Sequence, residues 1–304
     1  MFRFVCRILM QTKLFKMLDI RSIVKLGTVQ SLYRGSVFVI LRILNVSVRL
    51  KQCWFVIIKT EKDCRQYFVL TRKDDFMEII RCENLTKEYF SGENVIKAVD
   101  DVSIMFEQGE FCAVTGPSGS GKSTFLHILS SLENPTSGTV VYNGKNLFGY
   151  TDNQLSILRR RRFGFVFQAY NLVNELTGME NILLPIMLDG KKADETYLNK
   201  IIDILGIGNR LEHLPSALSG GQQQRIAIAR ALANKPSILF ADEPTGNLDR
   251  KSGEEVLTLL KYVTDELGVT LILVTHDLHV AELADRIITV EDGKIVSDSK
   301  QEVV

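Results

Sequence analysis

Short apolar runs bounded by turn residues punctuate the last two thirds of this chain. Phe111-Cys112-Ala113-Val114-Thr115, Phe163-Gly164-Phe165-Val166-Phe167, Ser237-Ile238-Leu239-Phe240-Ala241 and Thr270-Leu271-Ile272-Leu273-Val274 are too short for helices and rich in β-branched or aromatic residues. They read as buried strands. Helical spacing fills the intervals: Phe125–Leu129, a helix from Thr151 with Gln154 in capping-box register, Gly178–Leu188, and Asp194–Leu205 with Tyr197, Ile201, Ile202 and Leu205 on one face. A further helix opens after Leu218-Ser219-Gly220-Gly221-Gln222 and runs to about Asn234, and another spans Lys251–Leu267 and stops at Gly268. Strands alternating with helices predict an α/β chain with a mainly parallel, buried sheet. Glu78–Cys82, Leu85–Phe90, Val102–Phe106 and Thr139–Tyr142 read as additional strands, and Arg286–Val290 with Lys294–Val296 as a hairpin turning at Asp292-Gly293.

Residues 1–76 lack such a pattern, and charge sets them apart as well. They hold 15 Lys or Arg against five Asp or Glu, a balance of +10; residues 77–304 hold 22 against 31, a balance of −9, and the two sum to the net +1 of the chain. The longest stretch there without Lys, Arg, Asp or Glu is the eight residues Leu26–Tyr33, far short of the ~20 that cross a bilayer. Arg7 splits the only candidate signal-peptide core. Residues 1–76 are therefore read as a basic N-terminal extension, with three readings open: a basic apolar arm on an anionic membrane surface, a segment with no selected fold, or residues upstream of a true start at Met77. Five cysteines, odd in number and without a C-x-x-C pair, suggest neither a disulfide framework nor a zinc site. The run Arg159 to Arg162 closes a predicted helix, where cations complement the helix dipole. With no interleaved aromatics and an acidic surrounding domain, it is read as solvated surface, with no nucleic-acid partner.

The stretch Gly116-Pro117-Ser118-Gly119-Ser120-Gly121-Lys122-Ser123-Thr124 matches G-x-x-x-x-G-K-[ST] at every fixed position, between a predicted strand and a predicted helix. Glycines in that context let backbone N–H groups close around phosphate oxygens, and the helix start adds partial positive charge. Lys122 would reach the β- and γ-phosphates and the Ser123 hydroxyl would ligate Mg²⁺. The chain is thus expected to bind a nucleoside triphosphate. Asp242 ends a strand beside this loop, where it can hold Mg²⁺ directly or through water, and the adjacent Glu243 would be aimed at the attacking water.

Taken with the Ser219-Gly220-Gly221-Gln222 helix start, these motifs resemble the ATP-binding-cassette (ABC) ATPases over about residues 78–298. The resemblance implies a parallel core, an antiparallel β subdomain and a helical subdomain over about 169–234, with ATP and Mg²⁺ as ligands. Tyr89 stands where the family places an aromatic that stacks on adenine, and the neighbouring Phe90 could serve instead. Gln168 occupies the glutamine loop that contacts Mg²⁺ and senses the transport partner. Asp242 matches the metal-binding aspartate, Glu243 the catalytic glutamate, and His276 the histidine that contacts the γ-phosphate. Gly246-Asn247-Leu248-Asp249 matches the loop that crosses the dimer interface. In the family Leu218–Gln222 completes the site of a second subunit, so the resemblance implies a head-to-tail dimer glued by nucleotide.

Ala241–Asp249, Phe165–Leu172 and Leu184–Gly190 look like the branch that serves FtsX-like permeases moving lipoproteins, macrolides or antimicrobial peptides. That branch implies a permease on a separate chain and a cytoplasmic subunit held at the inner face of the cell membrane. The same branch includes a cell-division ATPase that exports nothing. DNA-repair relatives insert long coiled coils between phosphate loop and signature, where this chain is compact. Translation factors carry two cassettes, and a non-enzymatic module would lack Glu243 or Lys122.

Overall fold

The computed structural model describes residues 31–33, 37–40, 53–60, 66–72, 78–92 and 94–301. The chain divides into two compact units, Met1–Phe76 and Met77–Val304. In the first, β1 (Ser31–Tyr33), β2 (Val37–Ile40), β3 (Cys53–Thr60) and β4 (Gln66–Arg72) pair antiparallel in that order. The expectations for residues 1–30, for the segments between these strands and for Met77 as a start lie outside the described residues.

In the second unit the long strands β5 (Glu78–Ser91) and β6 (Asn94–Glu107) form an antiparallel hairpin. After it come β7 (Phe111–Thr115), helix α1 (Lys122–Leu129), β8 (Ser137–Tyr142), β9 (Lys145–Asn146), α2 (Asp152–Arg162) and β10 (Phe163–Phe167). Helices α3 (Gly178–Leu188), α4 (Glu195–Leu205) and α5 (Gly220–Leu232) precede β11 (Ile238–Asp242). The chain then forms α6 (Arg250–Leu267), β12 (Thr270–Val274), the short α7 (Leu278–Ala281), β13 (Arg286–Glu291) and β14 (Lys294–Lys300).

One sheet has the order β10-β11-β12-β7-β13-β14, parallel throughout except for the edge strand β14; a second, antiparallel, has the order β6-β5-β8-β9. Alternation along the parallel strands sorts their side chains between two cores. Ala113, Leu239, Ala241, Leu271 and Leu273 face one core with α4, α5 and α6. Cys112, Val114, Ile238, Phe240, Ile272 and Val274 face the other, with α1 and the antiparallel sheet. A strand covered on both faces has no polar side to show, which is why these runs are continuously apolar.

Local signals set the element ends. Thr151 caps α2 and Thr177 caps α3, each in a reciprocal capping box, with Gln154 and Glu180 respectively. Gly206 and Gly268 end α4 and α6 in left-handed conformations. Asp292 and Gly293, both left-handed, form the predicted turn between β13 and β14. Of the four arginines closing α2, Arg160 and Arg161 converge with Lys191 on Asp189, and together the three cations hold that carboxyl well below its usual range. The sequence reading begins the partner strand of β5 at Val102, whereas β6 starts at Asn94. Its first four residues are exposed, so no alternation announces them, and pairing with β5 decides their conformation.

Phe240 on β11 is 1% exposed and meets Phe163 edge-on at 5.3 Å and Phe165 stacked at 5.8 Å. Phe240→Ala is expected to lower the unfolding free energy by about 3–5 kcal/mol, through lost burial and the cavity left behind. Urea denaturation of the purified full chain measures it.

Candidate functional site

The ladder register aligns Val114, Phe167, Asp242 and Val274 across β7, β10, β11 and β12. Everything that follows those strand ends therefore gathers at one edge of the sheet. After β7 the chain turns through Gly116–Gly121 into α1. Gly116 has φ 143, and a Cβ there would lie 2.0 Å from the Val290 carbonyl; Gly121 has φ 98, and a Cβ would lie 1.8 Å from the Ala98 carbonyl. The loop is thus pressed against β6 and β13 from behind. Its back is also tied down where Gly293 N–H donates to Ser120 O at 3.0 Å, and Asp100 N–H to Gly293 O at 2.9 Å. Sequence reading missed this brace, because hairpin and loop are remote along the chain.

Pro117, Ser118 and Gly119 form the exposed rim of the loop, while Ser120 and Lys122 are buried. No side chain caps α1, so the N–H groups of Lys122, Ser123 and Thr124 have no partner within the helix. The Lys122 ammonium folds back to donate to Pro117 O at 2.7 Å and lies 3.4 Å from Ser120 Oγ. Burial lowers its pKa, opposed by the Glu243 and Asp242 carboxylates. A cation, a row of free N–H donors and a glycine turn closed from behind form a cradle that suits a polyphosphate.

Asp242 and Glu243 are adjacent but point to different partners. Ser123 Oγ donates to Asp242 Oδ1 at 2.9 Å, and His127 Nε2 lies 3.5 Å from Asp242 Oδ2. Glu243 Oε1 lies 3.2 Å from His276 Nδ1. Glu243 has φ 45, a left-handed value, and its N–H donates to Val274 O at 3.0 Å. Ser123 and Asp242 offer hard oxygens that fit a divalent cation such as Mg²⁺. Among the described residues no group of three or more His, Cys, Asp or Glu could hold a metal. The remaining ligands would therefore be substrate oxygens and water, as metal-assisted phosphoryl transfer uses.

Other residues singled out in the sequence have partners outside this centre. The Tyr89 hydroxyl donates to Glu133 Oε1 at 2.7 Å, and Lys87 Nζ lies 5.1 Å from the ring centroid. Phe90 beside it is 73% exposed. Gln168 is not joined to Ser123 or Asp242; its side chain donates to Asn247 Oδ1, and Asn247 Nδ2 donates to Gln168 O, both at 3.0 Å. Ser219 caps α5 in a capping box with Gln222, and Gly220 and Gly221 begin the helix. Ser219 and Gln222 make these hydrogen bonds with each other and not with the phosphate loop.

Fold and loop together define a P-loop nucleoside triphosphatase. A family model described as ABC transporter matches residues 99–246. An uncharacterized ABC transporter ATP-binding protein of Methanocaldococcus jannaschii is 47% identical over 222 residues, covering 72% of this chain and 98% of that protein. The cassette MJ0796, of the same organism, has a dimeric structure solved in a post-hydrolysis state bound to ADP and Pi; it matches with a TM-score of 0.67 and 41% identity, covering 74% of this chain and 100% of that one. The macrolide export ATP-binding/permease protein MacB of Aggregatibacter actinomycetemcomitans is 44% identical over 230 residues, 75% of this chain but 36% of that protein. The chain belongs to the ABC transporter ATP-binding proteins, and it is an ATPase.

The two loop glycines make the cradle testable. Gly121→Ala meets both a left-handed backbone and the Ala98 carbonyl, whereas a methyl on Gly119, at φ 79, would have nothing within 4 Å. The left-handed penalty alone is roughly 1–2 kcal/mol. Gly121→Ala is therefore expected to weaken ATP binding by more than about tenfold, and Gly119→Ala by less, in equilibrium titrations with a fluorescent ATP analogue.

Proposed function

We propose that this chain is the nucleotide-binding subunit of an exporter, working as a head-to-tail dimer that drives a membrane permease on a separate chain. The observation that carries this reading is the separation of two anion-suited helix starts within one chain. The phosphate loop opens α1, and Ser219–Gln222 opens α5 without reaching it. A second copy, turned head to tail, would bring its Ser219 and Gly221 to the ATP held by the first, so nucleotide joins two subunits and hydrolysis releases them. The dimeric cassette bound to ADP and Pi supports this arrangement. The macrolide-export relatives support the export branch. Among the described residues no helix is long and apolar enough to cross a membrane, consistent with attachment to the inner membrane face through a permease.

In this reading Tyr89 stacks on adenine, and Gly116–Thr124 enclose the phosphates. Lys122 leaves Pro117 O for the β- and γ-oxygens. Ser123 and Asp242 hold Mg²⁺, which neutralises phosphate charge when bound. Glu243 takes a proton from the water that attacks the γ-phosphorus, and His276 holds Glu243 in place and contacts the γ-phosphate. Gln168 contributes to the metal site when nucleotide is bound and carries its state toward the permease.

Two substitutions test this. Lys122→Ala removes the one side-chain cation placed on the phosphates and is expected to abolish ATP turnover; near wild-type activity would exclude this loop as the site. Glu243→Gln keeps size and hydrogen bonding but removes the base, a loss of about 10²–10⁴-fold in rate. Its MgATP complex is expected to elute as a dimer on size-exclusion chromatography, because release is blocked. A monomer that hydrolyses ATP normally would overturn the sandwich mechanism.

A further inference from the structure

Two residues beyond Gln168 the backbone enters a corner of unusual geometry. Tyr170 and Asn171 are consecutive left-handed residues, at φ 56 and φ 50. Asparagine tolerates that region, but tyrosine gains nothing there, and each such residue costs of order 1 kcal/mol or more. Local turn bonds, from Tyr170 N–H to Phe167 O at 3.3 Å and from Asn171 N–H to Ala169 O at 2.5 Å, tie down the amides, and the two carbonyls are held from outside the segment.

The holder is Arg230, on α5, the signature helix that Ser219–Gln222 open. Its Nη2 donates to Tyr170 O at 2.8 Å and its Nη1 to Asn171 O at 2.5 Å. In a helical conformation successive carbonyls point the same way, whereas in an extended one they alternate. A rigid planar fork can therefore take two consecutive carbonyls only while both residues stay bent. The opposite side of the corner is closed too. The Tyr170 hydroxyl donates to Asn247 O at 3.4 Å, and it lies 2.7 Å from where a Cβ on Gly220 would sit. Gln224, fully buried on the same helix, donates to Phe167 O at 3.3 Å and Pro244 O at 2.6 Å. Helix α5 thus grips the chain on both sides of Gln168, as well as the segment that follows Glu243.

We propose that Arg230 is a positioning residue for Gln168: its guanidinium fixes the bend at Tyr170-Asn171 and so sets where the Gln168 side chain lies at the nucleotide edge. The proposal rests on the reading that Gln168 takes part in ATP turnover. It implies that movement of the signature helix, when a second subunit engages it, reaches the glutamine of the same chain through two hydrogen bonds.

The test is a double-mutant cycle on the full chain, reading steady-state kcat and KM for MgATP. Arg230→Gln is expected to lower kcat about ten- to a hundredfold, the scale of a misplaced catalytic group, with KM within about twofold. Arg230→Lys, which keeps the charge but not the fork, is expected to stay low and serves as the test variant if thermal melting shows Arg230→Gln unfolded. In a Gln168→Ala background either substitution is expected to change kcat by less than about twofold. Equal losses in both backgrounds, or full recovery with Arg230→Lys, would overturn the proposal. Wild-type turnover by Gln168→Ala alone would instead overturn the assignment of Gln168.

Discussion

The hydrogen-bond register of four parallel strands is the constraint from which the rest of this molecule follows. Because β7, β10, β11 and β12 run the same way and end level, Val114, Phe167, Asp242 and Val274 form one row. Parallel strands need a crossover to return the chain to its starting edge, so every functional loop leaves from the opposite, C-terminal edge. Residues as remote as Ser123 and Asp242, or Glu243 and His276, meet there through ordinary backbone pairing. A one-residue slip of β11 would turn Asp242 toward the other face and put Phe240 in the wrong core. Burial of both sheet faces is what makes such a slip costly, so the same apolar contacts that stabilise the sheet also aim the carboxylates.

Much of this is legible in the chain alone. The apolar runs, the glycine turn and the capping-box pairs specify their structure within a few residues, through backbone conformation and local hydrogen bonds. The start of β6 is not, because Asn94–Lys97 are exposed on a ladder that only β5 dictates. At the site, motif and spacing single out Lys122, Ser123, Asp242 and Glu243, and the structure brings Ser123 to Asp242 and Glu243 to His276. The resting partners of Gln168 cannot. Its hydrogen bonds with Asn247 join residues 79 apart, and no local pattern encodes such a pairing. Arg230 is hidden for a related reason: an arginine on a helix reads as surface charge until its carbonyl partners are known.

Helix α5 joins these observations. Ser219 caps one end in a capping box with Gln222, and Gln224 and Arg230 farther along hold the segments that follow β11 and β10. Its apolar face, with Ile226, Ile228, Ala229 and Leu232, is packed in the core that also covers one side of the parallel sheet. Close-packed interiors do not deform smoothly, so the helix is suited to transmit a displacement rather than absorb it. The element that would meet a second subunit is thereby mechanically continuous with the element that borders the ATP site.

Glu243 sits at φ 45, pinned by its N–H to Val274 O and by Gly246 N–H on its carbonyl. A glycine at that position would relax the backbone, and so, in part, would asparagine or aspartate. With Glu243 as the proposed base, thermal stability and turnover make opposite demands on one codon. Directed evolution screened for heat resistance alone would drift away from glutamate here, and would yield a hardier protein without the proposed base.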